Sequence, residues 1–368
     1  MRTFFTILLA IHGLIHLIGF LRAFAFMEGK GFTIPISKPM GLLWLAAFIL
    51  FAIVAGMFFY NYKEWWIFGA IAVVLSQYVI IRTWDDSKFG TIVNIVVLLV
   101  IIIDYGAWHF RNSFFKEVNE GIHSSVITPT DVLTESDISA LPAPVQRYII
   151  YSGALGKPKV KSFRVEFTGQ IRKNEESPWM PLHSVQYNFM DVPVRLFFMD
   201  ATMMHLPVSG FHSFKNGTAN MDIRLLSLIP VQYQEGEKMG IAETVTFFND
   251  MCVLAPATLI DKRIEWSEPE GNKVKAKFTN NNITISAVLT FNDEGQLINF
   301  ESDDRYAADE NEGMRRLPWY TPMRDYSDFN GIKLSGHGDA IYKYPEGDLI
   351  YGQFELKNVE YNCSKVEI

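Results

Sequence analysis

The chain has 368 residues and two cysteines, so it is not a disulfide scaffold. Cys252 and Cys363 could form one bridge at most, and they read more simply as small buried hydrophobes. Catalytic signatures are also missing. There is no Gly-x-Ser-x-Gly elbow, phosphate-binding loop, dinucleotide fingerprint, HExxH or CxxC. Ser335 and His337 share a strand face, but no third group or oxyanion donor accompanies them. His183, His205 and His212 are scattered. Asp303, Asp304, Asp309, Glu310 and Glu312 lack the ordered ligand spacing of a calcium loop and read as a solvated segment. The balance of these absences leans against an enzyme and leaves any cofactor unknown.

Charge is scarce in the first third of the chain. Residues 1–117 hold nine Lys/Arg and six Asp/Glu, which leaves 24 and 34 for the remainder. The second part is therefore acidic, which excludes nucleic acid as a partner, since phosphates demand a basic face. It also argues against electrostatic docking to anionic head groups.

Long apolar runs fill the first third. A spanning helix needs about 20 apolar residues to cross about 30 Å of hydrocarbon. Four stretches qualify: about Thr3–Phe24, Gly41–Tyr60, Trp65–Ile81 and Thr91–Trp108. Trp44, Tyr60, Tyr62, Trp65, Trp66, Trp84 and Trp108 lie near their ends, as an aromatic belt requires. A cleaved signal is disfavoured, because the first run is long and Arg22 sits beside the Ala23-Phe24-Ala25 site. With four spans both termini share a side. Loops one and three carry Arg22, Lys30, Lys38, Arg82 and Lys88, against Arg2, Lys63, Arg111 and Lys116 opposite. Five against four leans toward an extracytoplasmic second domain.

Ionisable groups at membrane depth are functional candidates. His12 and His16 are four apart and project from one helix face. At 1.5 Å per residue, His12 lies about 13 Å into the first span and Asp104 about 7 Å from the end of the fourth, so an Asp–His contact is open if those helices are neighbours. Three readings stand: cross-helix packing beside Gly13 and Gly19, a proton or redox role, or metal or haem ligation.

Residues 111–140 carry scattered charge and read as a linker. Leu141-Pro142-Ala143-Pro144 opens a short helix that Gly153 stops. From there the period becomes two. Phe163, Val165, Phe167 and Ile171 alternate with Arg164, Glu166, Thr168 and Gln170. The same pattern recurs at 185–189, 273–278 and 283–291, with further strands at 332–343 and 348–361. Asn292–Gly295 and Tyr344–Asp348 are hairpin turns. This is an antiparallel sheet with one covered face. Ile241–Leu254 is the strong helical candidate to cover it, followed by a short helix to Ile260. The expected fold is a membrane bundle of four transmembrane helices (1–110), a linker (111–140) and an α+β domain (141–368) with a curved antiparallel sheet and one or two covering helices.

A curved sheet on few helices often encloses an apolar cavity. Phe197, Phe198, Met199, Met221, Phe248 and Trp179 are the candidates to line it, although the same residues would serve to fill a core.

From about Leu141 to Asn362 the chain resembles an uncharacterised bacterial family known only as a domain of unknown function. The resemblance rests on Pro142–Gly153, Pro178-Trp179-Met180-Pro181, Leu225–Pro230, the helix Ala242–Leu259 with its Ala255-Pro256 break, Pro318-Trp319 with Asp325-Tyr326, and Tyr344-Pro345-Glu346-Gly347 leading to Val359-Glu360-Tyr361-Asn362. Its strand-rich layout is similar, at fold level, to periplasmic lipoprotein-carrier and lipid-binding folds. The reading is a multi-pass protein of a bacterial inner membrane whose extracytoplasmic domain binds a lipid or other hydrophobic small molecule. The alternatives are a histidine-based redox or metal module (His12, His16, Asp104) with a soluble sensor domain, or a structural assembly factor.

Overall fold

The computed structural model describes residues 2–27, 33–125, 131–309 and 313–367. Lys30, Glu310 and Glu312, named above, lie outside the described residues. The chain divides into two compact units, 1–109 and 110–368.

The first unit holds α1 (Arg2–Ala23), α2 (Lys38–Phe59), α3 (Trp65–Arg82), the single turn α4 (Trp84–Ser87) and the N-terminal part of α5 (Gly90–Ser124). α1, α2, α3 and α5 are long and apolar enough to cross a membrane. Their burial is inverted relative to a water-soluble bundle. Ile7, Ile11, Leu14, Ile71, Val74 and Ile92 face outward, while His12, His16, Ser76 and Asn94 are buried. That is the arrangement a hydrocarbon solvent selects. Gly19 packs against the Trp44 ring, and Gly13 against Phe51, so α1 and α2 approach closely.

The second unit begins inside α5. Residues 111–124, expected as linker, continue that helix without a break. Phe110, Phe114, Val118 and Ile122 recur every four residues and are buried against Tyr187, Phe189, Leu196, Phe198 and Phe211 of the sheet. After α6 (Glu135–Ile138), α7 (Ala143–Ser152) ends where Gly153 adopts φ 74°, a left-handed cap that glycine takes without penalty.

The strands are β1 (Ser162–Ile171), β2 (Met180–Phe189), β3 (Val194–Met203), β4 (Leu206–Lys215), β5 (Thr218–Leu225) and β6 (Ile229–Glu235), then β7 (Ile264–Trp266), β8 (Lys273–Asn280), β9 (Ile283–Phe291) and β10 (Leu297–Ser302). A small hairpin, β11 (Tyr306–Asp309) with β12 (Gly313–Arg316), precedes β13 (Trp319–Phe329), β14 (Ile332–Tyr344) and β15 (Gly347–Tyr361). All but the small hairpin join one open antiparallel sheet of 13 strands, ordered β6-β5-β4-β3-β2-β1-β15-β14-β13-β10-β9-β8-β7.

The one long helix of this unit after α7, α8 (Glu237–Leu254), touches β4, β5 and β6 near one end of that order, β9 and β10 near the other, and β14 between. The sheet therefore curls around it. A 3₁₀ turn follows at Pro256–Ile260. Any side chain at Gly240 would strike the carbonyl of Gly217 in the β4–β5 turn, so glycine lets the helix seat against the strand ends. Phe247 and Phe248 pack on Phe278, and Phe248 also on Phe300, at the centre of the main core.

Candidate functional site

The concave face of the second unit encloses a cavity of about 830 Å³. Strand alternation builds its wall. On β3, Arg195, Phe197, Met199 and Ala201 face inward, opposite Gln186 and Leu182 of β2 on one side and His212 and Val208 of β4 on the other. Met221 and Ile223 extend the wall on β5, and Phe167 and Phe354 close it from β1 and β15. The wall is apolar and rich in methionine, whose unbranched side chains adapt to irregular ligands.

The floor is different. Glu243 and Asp250 are seven residues apart on α8 and so share one face, which lines the cavity. Arg195 reaches both: Nε donates to Asp250 Oδ2 at 2.7 Å and Nη1 to Glu243 Oε2 at 3.0 Å. Its third nitrogen, Nη2, donates to Gln186 Oε1 at 2.8 Å. Asp250 Oδ2 also accepts from Gln186 Nε2 at 2.8 Å and Asn188 Nδ2 at 3.3 Å. On the other side of Glu243, Arg305 Nη2 lies 3.6 Å and His212 Nδ1 4.0 Å from Oε1. Arg305 stacks over Trp319, whose indole N–H donates to the Tyr351 hydroxyl at 3.1 Å.

Two guanidinium groups thus face two carboxylates in a site nearly closed to water. Burial pushes the Glu243 carboxyl up, but Arg195 and Arg305 outweigh it and hold it below the usual carboxylate range. For Asp250 burial prevails over Arg195 and the shift is upward. Burial drives His212 down to about 4, so the imidazole is neutral at pH 7 even beside Glu243. No nucleophile is activated here. The Cys252 thiol is pushed up by burial, and both cysteines are free. Ser335 is spent on backbone carbonyls, donating to those of Arg324 or His337.

Of the six residues read from the sequence as cavity lining, Phe197, Met199 and Met221 do line it. The other three lie elsewhere. Phe198 alternates to the opposite face of β3, with Arg111 4.9 Å above its ring and Phe110 and Phe114 beside it. Phe248 belongs to the packed core, and Trp179 lies under the Arg172 guanidinium at 4.6 Å.

In the first unit, His12 and His16 sit in one polar chain. His16 Nδ1 donates to the His12 carbonyl at 2.8 Å, and Ser76 Oγ lies 2.9 Å from His16 Nε2. His12 Nε2 donates to Asn94 Oδ1 at 2.9 Å, Asn94 to Gln77 Oε1 at 3.0 Å, and Gln77 to Thr91 at 3.1 Å. With both rings neutral every link is satisfied. Asp104 is not part of it: its carboxylate accepts from the Trp65 indole instead. Among the described residues no group of three or more His, Cys, Asp or Glu side chains is placed to hold a metal.

An apolar helical unit joined to an α+β unit with a ligand-sized pocket defines the class. Residues 131–354 match the profile of a family of unknown function, DUF6544, and the chain belongs to that family. No curated protein matches the sequence. Several solved structures are similar to it, three of which follow. One is a domain described as a putative outer membrane lipoprotein-sorting protein from Vibrio parahaemolyticus (10% identity, TM-score 0.33, 56% of this chain and 87% of that one). Another is a DUF1329 family protein from Desulfovibrio piger (10%, 0.36, 64% and 96%). The third is a LolA superfamily protein from Nitrosomonas europaea (9%, 0.30, 59% and 93%).

Proposed function

We propose that this is a multi-pass protein of a bacterial inner membrane whose second unit lies outside the cytoplasm and holds one amphiphilic, lipid-like molecule in its cavity. The observation that carries this is the cavity itself: about 830 Å³, within the range of small-molecule sites, with a Met/Phe/Leu wall and a few fixed polar groups at one end. A site for a polar solute would not be walled this way, and a packed core would leave no such space. The inverted burial of the four helices supports insertion, and the small excess of basic residues in loops one and three supports the side. The histidine chain reads as interhelical packing, because a metal would have to displace bonds already made at His12 Nε2 and both nitrogens of His16.

The test is photolabelling of the full chain in lipid nanodiscs with octadecyl probes that carry a mid-chain diazirine. Peptides containing Met180, Met199 or Met221 should be labelled. Labelling confined to the four apolar helices would sink the proposal.

A further inference from the structure

The floor of the cavity holds two arginines in unequal situations. Arg195 is engaged on every nitrogen: each of the three donates to a side chain at 2.7–3.0 Å. Arg305 is not. Its nearest carboxylate oxygen, Glu243 Oε1, is 3.6 Å away, beyond hydrogen-bond length. That carboxylate is already engaged by Arg195 through its other oxygen. Among the described residues the Arg305 Nε has no hydrogen-bond partner. The guanidinium carbon lies over the Trp319 ring, 5.3 Å from its centroid, and the side chain is only 11% exposed. An arginine buried to that degree, with its one carboxylate neighbour beyond hydrogen-bond length, has its desolvation only partly compensated.

The neighbours continue the pattern. Tyr351 accepts from the Trp319 indole at 3.1 Å, and among the described residues its own O–H hydrogen has no acceptor. Tyr342 donates to the Tyr306 carbonyl, which fixes its ring against Tyr351 at 4.9 Å. Both Arg305 and Tyr351 line the cavity. The unspent capacity at this end therefore includes two donors, one of them cationic. The apolar wall starts within the same enclosure, at Phe197, Met199 and Leu356.

We infer that the ligand is an anionic amphiphile with a single compact oxyanion head, a carboxylate or a phosphate. The head is received by Arg305 and Tyr351, and the chain lies along the methionine wall. This rests on the cavity being the ligand site, and it goes further in specifying the head group. Glu243 does not oppose it. Its charge is shared between Arg195 and Arg305, and the head is received by the unspent N–H groups of Arg305. Arg305 is a head-group-binding residue here, not a catalytic one.

The experiment uses the full chain in nanodiscs and three photoprobes that share one diazirine-bearing octadecyl chain. One ends in a carboxylate, one in a phosphate and one in a neutral alcohol. Labelled peptides are mapped and quantified. In the wild-type chain at least one anionic probe should label the cavity peptides about tenfold more than the alcohol, the discrimination expected of a charge-assisted hydrogen bond. Whichever anion leads identifies a fatty-acid or a lipid-phosphate source. Arg305→Gln should bring the ratio near one, Arg305→Lys should retain part of it, and Tyr351→Phe should lower it a few-fold. Equal cavity labelling by acid, phosphate and alcohol in the wild-type chain would overturn the inference and leave the cavity proposal standing. Absence of cavity labelling by all three would overturn both. The wild-type comparison stands even if a variant fails to fold.

Discussion

Replacing Arg195 by Met tests how the floor of the cavity is held. The substitution keeps most of the aliphatic stem and removes the guanidinium. Three hydrogen bonds go with it, to Asp250, Glu243 and Gln186. Asp250 is left with two amide donors, and Glu243 with an arginine at 3.6 Å. Both carboxylates are at most 7% exposed as residues, so water cannot replace what is lost. Breaking a buried pair in this way costs about 3–5 kcal/mol. For a domain of this size that is a fall in melting temperature of about 10 °C. The assay is thermal unfolding of the full chain in detergent, followed by the infrared β-sheet band, which reports the second unit. The sign with pH is also fixed. Without Arg195 the Asp250 carboxyl, already raised by burial, rises further and that of Glu243 rises as well, so the folded state holds more protons and the variant regains stability as pH falls from 8 toward 5. The triple variant Arg195→Met, Glu243→Gln, Asp250→Asn should recover most of the loss, because it leaves no buried charge of the cluster unpaired except on Arg305. A single variant that melts within about 2 °C of wild type, or a loss that does not depend on pH, would refute the reasoning.

Three further outcomes are expected. His212 titrates near 6.5 when unfolded and at about 4 when folded. The unfolded state therefore binds the extra proton, and stability should fall as pH drops from about 6.5 to about 4, by about 3 kcal/mol in full; His212→Gln should flatten this part of a pH–melting curve. Phe114→Ala should destabilise the second unit by about 3–5 kcal/mol in the same thermal assay, since Phe114 is 1% exposed between helix and sheet. Phe198→Asp should unfold the contact of the 110–124 helical segment with the sheet, seen as faster amide exchange there, whereas Met199→Trp should leave exchange unchanged and exclude cavity probes.

The helical third was legible because length and apolarity alone specify a spanning helix. Strands β1, β2, β8 and β9 were also legible, since the period of two shows in each, and β14 and β15 were placed on either side of the Tyr344–Asp348 turn. β3 was not. It is covered on both faces, with Leu196 and Phe198 under the 110–124 helical segment and Phe197 and Met199 on the cavity, so its sequence shows an unbroken apolar run. For the same reason composition singled out the Phe197–Met199 region but not which of its residues faces the cavity. The continuation of α5 was hidden by its surface charges, Lys116, Glu117 and Glu120, although Phe110, Phe114, Val118 and Ile122 repeat at helical spacing. The floor of the site was missed entirely. Its one local signal is a pair of carboxylates, Glu243 and Asp250, seven apart on a helix that is otherwise buried on that face. Their partners, Arg195 and Arg305, come from distant strands and loops and are assembled only by the curl of the sheet.

The most direct test of the central claim is mass spectrometry of organic extracts from the full chain, purified in mild detergent, beside the variant Met199→Trp/Met221→Trp with its cavity filled. The account predicts one anionic single-headed amphiphile, near one per chain and depleted in the filled variant. An identical lipid profile in both proteins would contradict it.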